Sequence, residues 1–202
     1  MGTKTTAQDA ATQRRPGRPR SERADQAILD AALEAVAEGG VDSVTCENVA
    51  GRAGVGKATI YRRWAGKEDL LIAAFASLKR PLPEPAGENV RDDLIAMLAV
   101  MAKDSEDPRY FRQHAMLHGE GARYPRLLAR YKERVVEPRR ELIRQVLRRG
   151  IETGELKDGT DVELAMLMLT GAVLAREKQQ AAPDSGFAQR LVDELLQGIA
   201  VK

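Results

Sequence analysis

The chain has 202 residues, of which 43% are hydrophobic and 31% charged, with a formal net charge of +2. That length can bury a core as one large domain or two small ones, and the composition excludes a chain disordered throughout. The single cysteine, Cys46, excludes an intrachain disulfide and a cysteine-held zinc, and no apolar run is long enough to span a membrane. The N-terminus carries charge without a hydrophobic stretch, so a secretory signal is not expected and a cytoplasmic protein is. Charge is distributed unevenly. Five arginines face one acid between Arg14 and Arg23, and Lys57–Lys67 holds four basic residues and no acid. Two basic patches in a nearly neutral chain point to an anionic partner met by one end.

Residues 1–20 have no apolar period and are rich in Thr, Ala, Gln, Arg and Pro, as expected of a disordered basic arm. Ser21 suits an N-cap, and Ala24, Ala27, Ile28, Ala31, Ala35 and Val36 follow at helical spacing until Gly39-Gly40. Thr45 opens a short helix with Val49, Ala50 and Ala53, broken by Gly54. A third helix is expected over about 57–64, and a fourth after Gly66 with Leu70, Leu71, Ala74, Phe75 and Leu78. Pro81, Pro83 and Pro85 close this first module, residues 21–80, and mark 81–88 as a linker.

Residues 89–202 read as a second helical module. Val90, Leu94, Met97, Leu98 and Met101 share a face. Pro108 starts a short helix with Phe111 and Ala115. A long segment from about 124 to 151 contains Pro138, which should kink it. Two last helices are expected at about 162–179 and 187–201. No stretch alternates with period two. The fold class is therefore all-α, with about nine helices and no internal repeat.

The segment Thr45–Trp64 carries the most information. Gly54 suits the left-handed turn between two short helices, Ala50 is small where they would cross, and Val49, Val55 and Ile60 are apolar where they would pack. This is the pattern of a helix-turn-helix, whose second helix enters the major groove. Ile60 and Trp64 are four apart and share the inward face. Ala58, Thr59 and Arg62 then point away, flanked by Lys57, Tyr61 and Arg63. Arginine can read guanine edges, threonine a thymine methyl, and tyrosine a phosphate.

Residues 22–80 resemble the N-terminal domain of the tetracycline-repressor (TetR/AcrR) family of transcriptional regulators. The resemblance rests on AILDAALEAVAEGG and VTCENVAGRAGVGKATIYRRWAGKEDLL: Thr45, Ala53-Gly54-Val55, Thr59-x-Tyr61, Trp64 and Lys67-Glu68-x-Leu70-Leu71. It departs from the family at Gly56, where serine is usual, and at Arg62-Arg63-Trp64, where Tyr-His-Phe is common. The resemblance implies Thr45, Lys57, Thr59, Tyr61, Arg63 and Lys67 as DNA contacts, and the helix geometry adds Arg62. The arm Arg14–Arg20 resembles an AT-hook core, with Pro16 in an unusual place. Arg15, Arg18 and Arg20 would then lie in the minor groove, or serve as a generic basic tail.

The family's C-terminal helices bind an effector and form the dimer. The resemblance therefore implies a two-fold interface from the last two helices, with Met168, Leu191, Leu195 and Ile199 as candidates. Met97, Met101, Phe111, His114 and Met166 are candidates for an effector pocket, although methionine at helical spacing is more often core. His114 and His118 are spaced i, i+4 and lack a third metal ligand, so a core-edge pair is preferred. Cys46 is either a redox-sensitive thiol or, more simply, a small core residue. No metalloprotease, phosphate-loop, dinucleotide or nucleophile-elbow motif is present, and no enzyme, metal or cofactor is expected. The expected function is a sequence-specific, nucleoid-associated regulator. It would act as a homodimeric repressor released from a palindromic operator by a small molecule. The alternative is a non-specific architectural DNA-binding protein using its basic arm.

Overall fold

In the computed structural model, residues 19–104, 107–119, 121–178 and 184–199 are described. Among them every regular element is helical: α1 (Pro19–Gly39), α2 (Cys46–Arg52), α3 (Lys57–Tyr61), α4 (Lys67–Ser77), α5 (Val90–Asp104), α6 (Pro108–Gly119), α7 (Pro125–Tyr131), α8 (Glu137–Glu152), α9 (Val162–Lys178) and α10 (Phe187–Ile199). A 3-10 turn, Val41–Ser43, links α1 to α2. A π-helical turn, Lys132–Val136, joins α7 to α8 without a break, so these elements form the long interrupted rod expected over 124–151. Pro138 sits in the first turn of α8. It has no N–H to offer the carbonyl four residues back, so regular i→i+4 pairing fails there, and the π turn lies directly before it.

α1 begins at Pro19, two residues before the expected Ser21, so Pro19 and Arg20 belong to the helix and not to an arm. Its C-terminus is closed by Ser43, whose Oγ donates to the carbonyls of Ala35 (2.7 Å) and Gly40 (2.8 Å). Residues 1–18, with Arg15 and Arg18, lie outside the described residues.

The apolar packing divides the molecule differently from the proline linker. One cluster joins α1–α4 through Ile28, Val49, Ile60, Leu70 and Phe75, and continues into Tyr110 and Leu117 of α6, Leu127 and Tyr131 of α7, and Val135. Phe75 meets Tyr131 edge to face, with ring centroids 6.0 Å apart. The second cluster joins α5, α8, α9 and α10 through Leu94, Met97, Ile143, Leu147, Met166, Leu169 and Val192. Gly150 allows α8 to approach α5 closely: a Cβ there would lie 2.5 Å from Val90 Cγ2. Thus α6 and α7 follow the linker in sequence but pack on the first module.

Two buried aspartates clasp the linker to the second module. Asp104 accepts from the Arg80 N–H (2.9 Å) and pairs with Arg139 (2.8 Å). Asp93 accepts from the N–H groups of Ala86 (2.7 Å) and Gly87 (3.2 Å) and pairs with Arg149 (2.7 Å). Burial pulls the Asp93 carboxyl upward, but Arg149 and the two N–H groups outweigh it and hold the pKa below the ordinary carboxylate value. The folded state therefore favours the ionised form. Its contribution is present at neutral pH and lost as pH falls through the depressed pKa. Asp93→Asn should cost about 2 kcal/mol at pH 7, the size of a hydrogen bond to a charged group. Thermal unfolding should then shift down by about 4–8 °C. The gap between wild type and variant should begin to narrow below about pH 4, the ordinary value that applies to the unfolded chain, and close as pH falls through the depressed folded value. Melting curves across pH check this, and a gap unchanged down to pH 2 would contradict it.

Candidate nucleic-acid interface

The helix-turn-helix is built by local chemistry. Thr45 caps α2, its hydroxyl accepting from the Asn48 N–H at 3.1 Å. At the other end Val55 N–H reaches the Ala50 carbonyl (3.0 Å) and Gly54 N–H the Gly51 carbonyl (3.3 Å). This paired closure requires a left-handed residue between helix and turn, and Gly54 has φ +65°. A Cβ at Gly54 would meet nothing, so backbone conformation alone selects glycine. Arg52 fastens α2 to α1, donating to both carboxylate oxygens of Glu38 (2.9 and 2.5 Å) and to Asn48 Oδ1 (2.8 Å).

α3 is shorter than expected. It ends at Tyr61, and Arg62–Trp64 continue as a turn, with the Arg63 and Trp64 N–H groups both bonding the Ile60 carbonyl at 2.9 Å. Gly56 at its N-cap supplies no side-chain bond, which is what replacing the family's serine costs. Ile60 is fully buried and Trp64 packs beside it on the same core, so the inward face is as expected.

The outward surface carries Lys57, Ala58, Tyr61 and Arg62, all exposed, with Thr59 half-buried. Tyr61 is 54% exposed, an unusual position for a tyrosine on so short a helix. A hydrogen bond to the Cys46 thiol, together with the nearby Cys46 and Glu47, holds the Tyr61 phenol above its usual pKa. A phenol is neutral at physiological pH without this shift, so Tyr61 is a hydrogen-bond donor there in either case. Arg62 leans on the Thr59 hydroxyl at 3.3 Å and is otherwise presented to solvent. Lys57 pairs with Glu47 across the turn (3.1 Å), an exposed contact that a phosphate would have to displace.

The two arginines differ in a way their sequence does not reveal. Arg63 pairs with Asp25 of α1 and donates to the Thr59 carbonyl (3.2 Å), and its side chain is only 23% exposed. It braces α3 against α1 instead of standing with Arg62. Thr45 is exposed beside this surface, and Lys67 stands half-buried in the first turn of α4. Arg20 lies in the first turn of α1, its side chain outside the described part. Cys46 is buried, which fits the simpler reading of it as a core residue.

The start of α4 is gripped from the second half of the chain. Arg130 of α7 donates to Glu68 (2.9 Å) and Asp69 (2.5 Å), and Arg134 adds a bond to Asp69 (2.7 Å). Any displacement of α7 therefore reaches the helix that follows the recognition surface.

The expected effector residues separate. Met97 and Met166 are sealed in the second core, exposed by 0% and 1%, and cannot line a pocket there. The side chains of Phe111, His114 and His118 lie outside the described part. Met101 does border a cavity of about 300 Å³ between α5, α6, α8 and α9. Its apolar wall is Met101, Ile143, Leu167 and Leu174, and Lys79, Tyr110, Arg139 and Arg140 supply polar groups. Lys79 bonds the Tyr110 hydroxyl at 2.9 Å. These four polar residues come from three separate segments with no common period, so no sequence signal unites them.

The expected dimer residues also divide. Leu191, Leu195 and Ile199 are partly buried against the chain's own second core. The stripe on α10 is spent largely within the subunit. The exposed apolar surface is instead on α9: Leu164 (49%), Leu167 (48%) and Met168 (51%).

A short helix pair with a left-handed turn, a basic exposed second helix and a helical module behind it define a helix-turn-helix DNA-binding protein. The chain belongs to the tetracycline-repressor family. Residues 28–74 match the family model for bacterial regulatory proteins of the tetR family, and residues 84–195 match the tetracyclin repressor-like C-terminal domain. The chain is 32% identical over 169 residues to YdeS of Bacillus subtilis, an HTH-type transcriptional regulator, covering 81% of this chain and 83% of that one. It is 29% identical over 150 residues to the fatty acid metabolism regulator protein of Bacillus subtilis, covering 72% and 77%. Among solved structures, the transcriptional regulator FadR of Bacillus subtilis in complex with stearoyl-CoA superposes with a TM-score of 0.64 at 22% identity. That match covers 86% of this chain and 98% of the other.

Proposed function

We propose that the protein is a homodimeric repressor that binds a palindromic operator and leaves it when a small molecule enters the α5–α9 cavity. The observation that carries the DNA half is the exposed Tyr61 at the end of α3 and Arg62 just after it, held on a fully buried Ile60. Of the large apolar side chains among the described residues, four are exposed: Tyr61 on α3 and three on α9. The three on α9 are gathered on one helix, as at a surface meant for a partner. No helix among the described residues is long and apolar enough to cross a membrane. The cytoplasm, with access to the nucleoid, is the compartment this reading needs.

The cavity's chemistry favours an effector with an anionic head and an apolar body. Lys79, Arg139 and Arg140 would meet the head, and Met101, Ile143 and Leu174 the body. The fatty acid regulator relative and the stearoyl-CoA complex of FadR support that direction. Entry would displace α8 and, through the continuous rod, Arg130 and Arg134. These grip Glu68 and Asp69 beside Lys67, so the effector would select the arrangement that binds DNA poorly. Selection of bound fragments from random DNA tests the reading. A two-fold symmetric consensus is expected. Recovery of unselected sequence, with no effect of fatty acids or their thioesters on binding, would overturn it.

The arm has a separate expected effect. Deleting residues 1–18 should flatten the dependence of affinity on salt, because each phosphate contact contributes about 0.9 to the slope. Binding titrations at several salt concentrations measure this. Equal slopes would remove the arm from the interface.

A further inference from the structure

A second cavity, of about 530 Å³, lies between α1 and α6 over Phe75 of α4. It is outside the recognition surface and shares no lining residue with the α5–α9 cavity. On α6, Arg109, Arg112, Gln113 and Met116 fall at i, i+3, i+4 and i+7 and so share the face that lines it. The floor is apolar, formed with Leu33 and Phe75. Arg109 crosses to Asp30 of α1 at 3.0 Å and fixes one edge of the cleft.

Gln113 is anomalous in this setting. It is 3% exposed, and neither its amide nitrogen nor its amide oxygen has a hydrogen-bond partner among the described residues. A buried amide with both ends unpaired is costly, and folded proteins nearly always satisfy such groups. The residue is not packed into solid core, where leucine would serve better. It borders a cleft of the size that small-molecule sites have.

We infer that the α1–α6 cleft binds a small molecule bearing a carboxamide on an apolar body. Glutamine offers an acceptor oxygen beside two N–H donors. A hydroxyl can reach both ends only through a small ring with two bent hydrogen bonds, and a carboxylate has no donor for its oxygen. Another carboxamide presents an acceptor and a donor side by side, closes a paired ring of two hydrogen bonds, and satisfies both ends together. Leu33, Phe75 and Met116 take the apolar body. This site does not depend on how the protein uses DNA or on what fills the other cavity.

Benzamide and acetophenone test it, because they have the same shape and differ by an amide NH2 replaced with a methyl. Each is titrated into the isotope-labelled full-length protein, and amide resonances of residues 33–37 and 109–116 are followed. The Gln113 side-chain NH2 pair is assigned by its loss in Gln113→Leu. Benzamide should shift these signals and bind roughly tenfold or more tightly than acetophenone, since a buried polar site discriminates against an analogue lacking its partner. Gln113→Leu should melt no lower than wild type and lose that preference. Met116→Trp, which fills the cleft and leaves Gln113 in place, should block benzamide. Equal binding of the two probes, a preference that survives Gln113→Leu, or shifts confined to other regions would each overturn the inference. So would groove resonances that move on deletion of residues 1–18 but not with benzamide, which would make the arm the occupant.

Discussion

Tyr61→Ala and Arg62→Ala should each sharply weaken specific operator binding while leaving the fold unchanged. Both side chains point out from a helix whose inward residue, Ile60, is fully buried, so neither truncation opens the core. A base-contacting arginine contributes about 1–3 kcal/mol of discrimination per site. In a two-fold dimer the loss is repeated in each half-site, so the effect of Arg62→Ala should approach its square, from about thirtyfold to about ten-thousandfold. Tyr61 offers a neutral phenol as donor, and Tyr61→Phe should reproduce much of the loss if the hydroxyl meets a phosphate. Arg63→Ala is expected to behave differently. It removes the brace to Asp25, so it should lower thermal stability as well as affinity, and Asp25→Ala should share that defect without touching DNA. Gel-shift titrations beside melting curves separate the cases. Unchanged affinity for both Tyr61→Ala and Arg62→Ala would remove α3 from the major groove.

The contrast between Arg62 and Arg63 shows what was legible in the chain. Signals that act within a few residues could be read directly. The Thr45 cap, the left-handed Gly54 and the shared face of Ile60 and Trp64 each need only a neighbour three to five positions away. Arg63 could not be assigned from α3 alone, because its fate depends on an aspartate 38 positions earlier. The same holds for Met97 and Met166, whose helical spacing fits pocket and core equally. Only the crossing of α5, α8 and α9 decides, and it seals them. The prolines at 81, 83 and 85 end α4 correctly but do not divide the core, because α6 and α7 return across the linker to pack on α1 and α4. Gln113 carried no signal at all, since a glutamine on a polar helix is ordinary until its surroundings are known.

The expected dimer residues on α10 are partly buried against their own chain, and α9 offers the more exposed apolar face. The stripe Leu191, Leu195, Ile199 looks like a partner surface, but α10 lays it on α5 and the second core of its own chain. α9 is the helix with apolar residues left over. Leu164, Leu167, Met168 and Gly171 recur at i, i+3, i+4 and i+7, the spacing of one helix face, and the three side chains are each about half exposed. A Cβ at Gly171 meets nothing within 4 Å, and Gly171 and Leu167 also border the α5–α9 cavity, so this face and that cavity adjoin. On a two-fold axis this face meets its own copy, and a single charge then appears twice. Met168→Glu and Leu164→Glu should therefore weaken the dimer by about a thousandfold, as loss of a central contact on both sides would. Their helical content should stay near wild type, because neither residue is buried in the single chain, while the melting temperature loses the part that association supplies. Leu195→Glu should do the opposite and unfold the second module. Gly171→Val should impair association without impairing the fold. Sedimentation measures the dimer and circular dichroism the fold. The folded monomers should keep weak, salt-sensitive DNA binding and lose the preference for a palindrome, since one helix-turn-helix reads only one half-site. A wild-type chain that sediments as a monomer at micromolar concentration and still selects a palindrome would exclude both the α9 interface and the requirement for a pair.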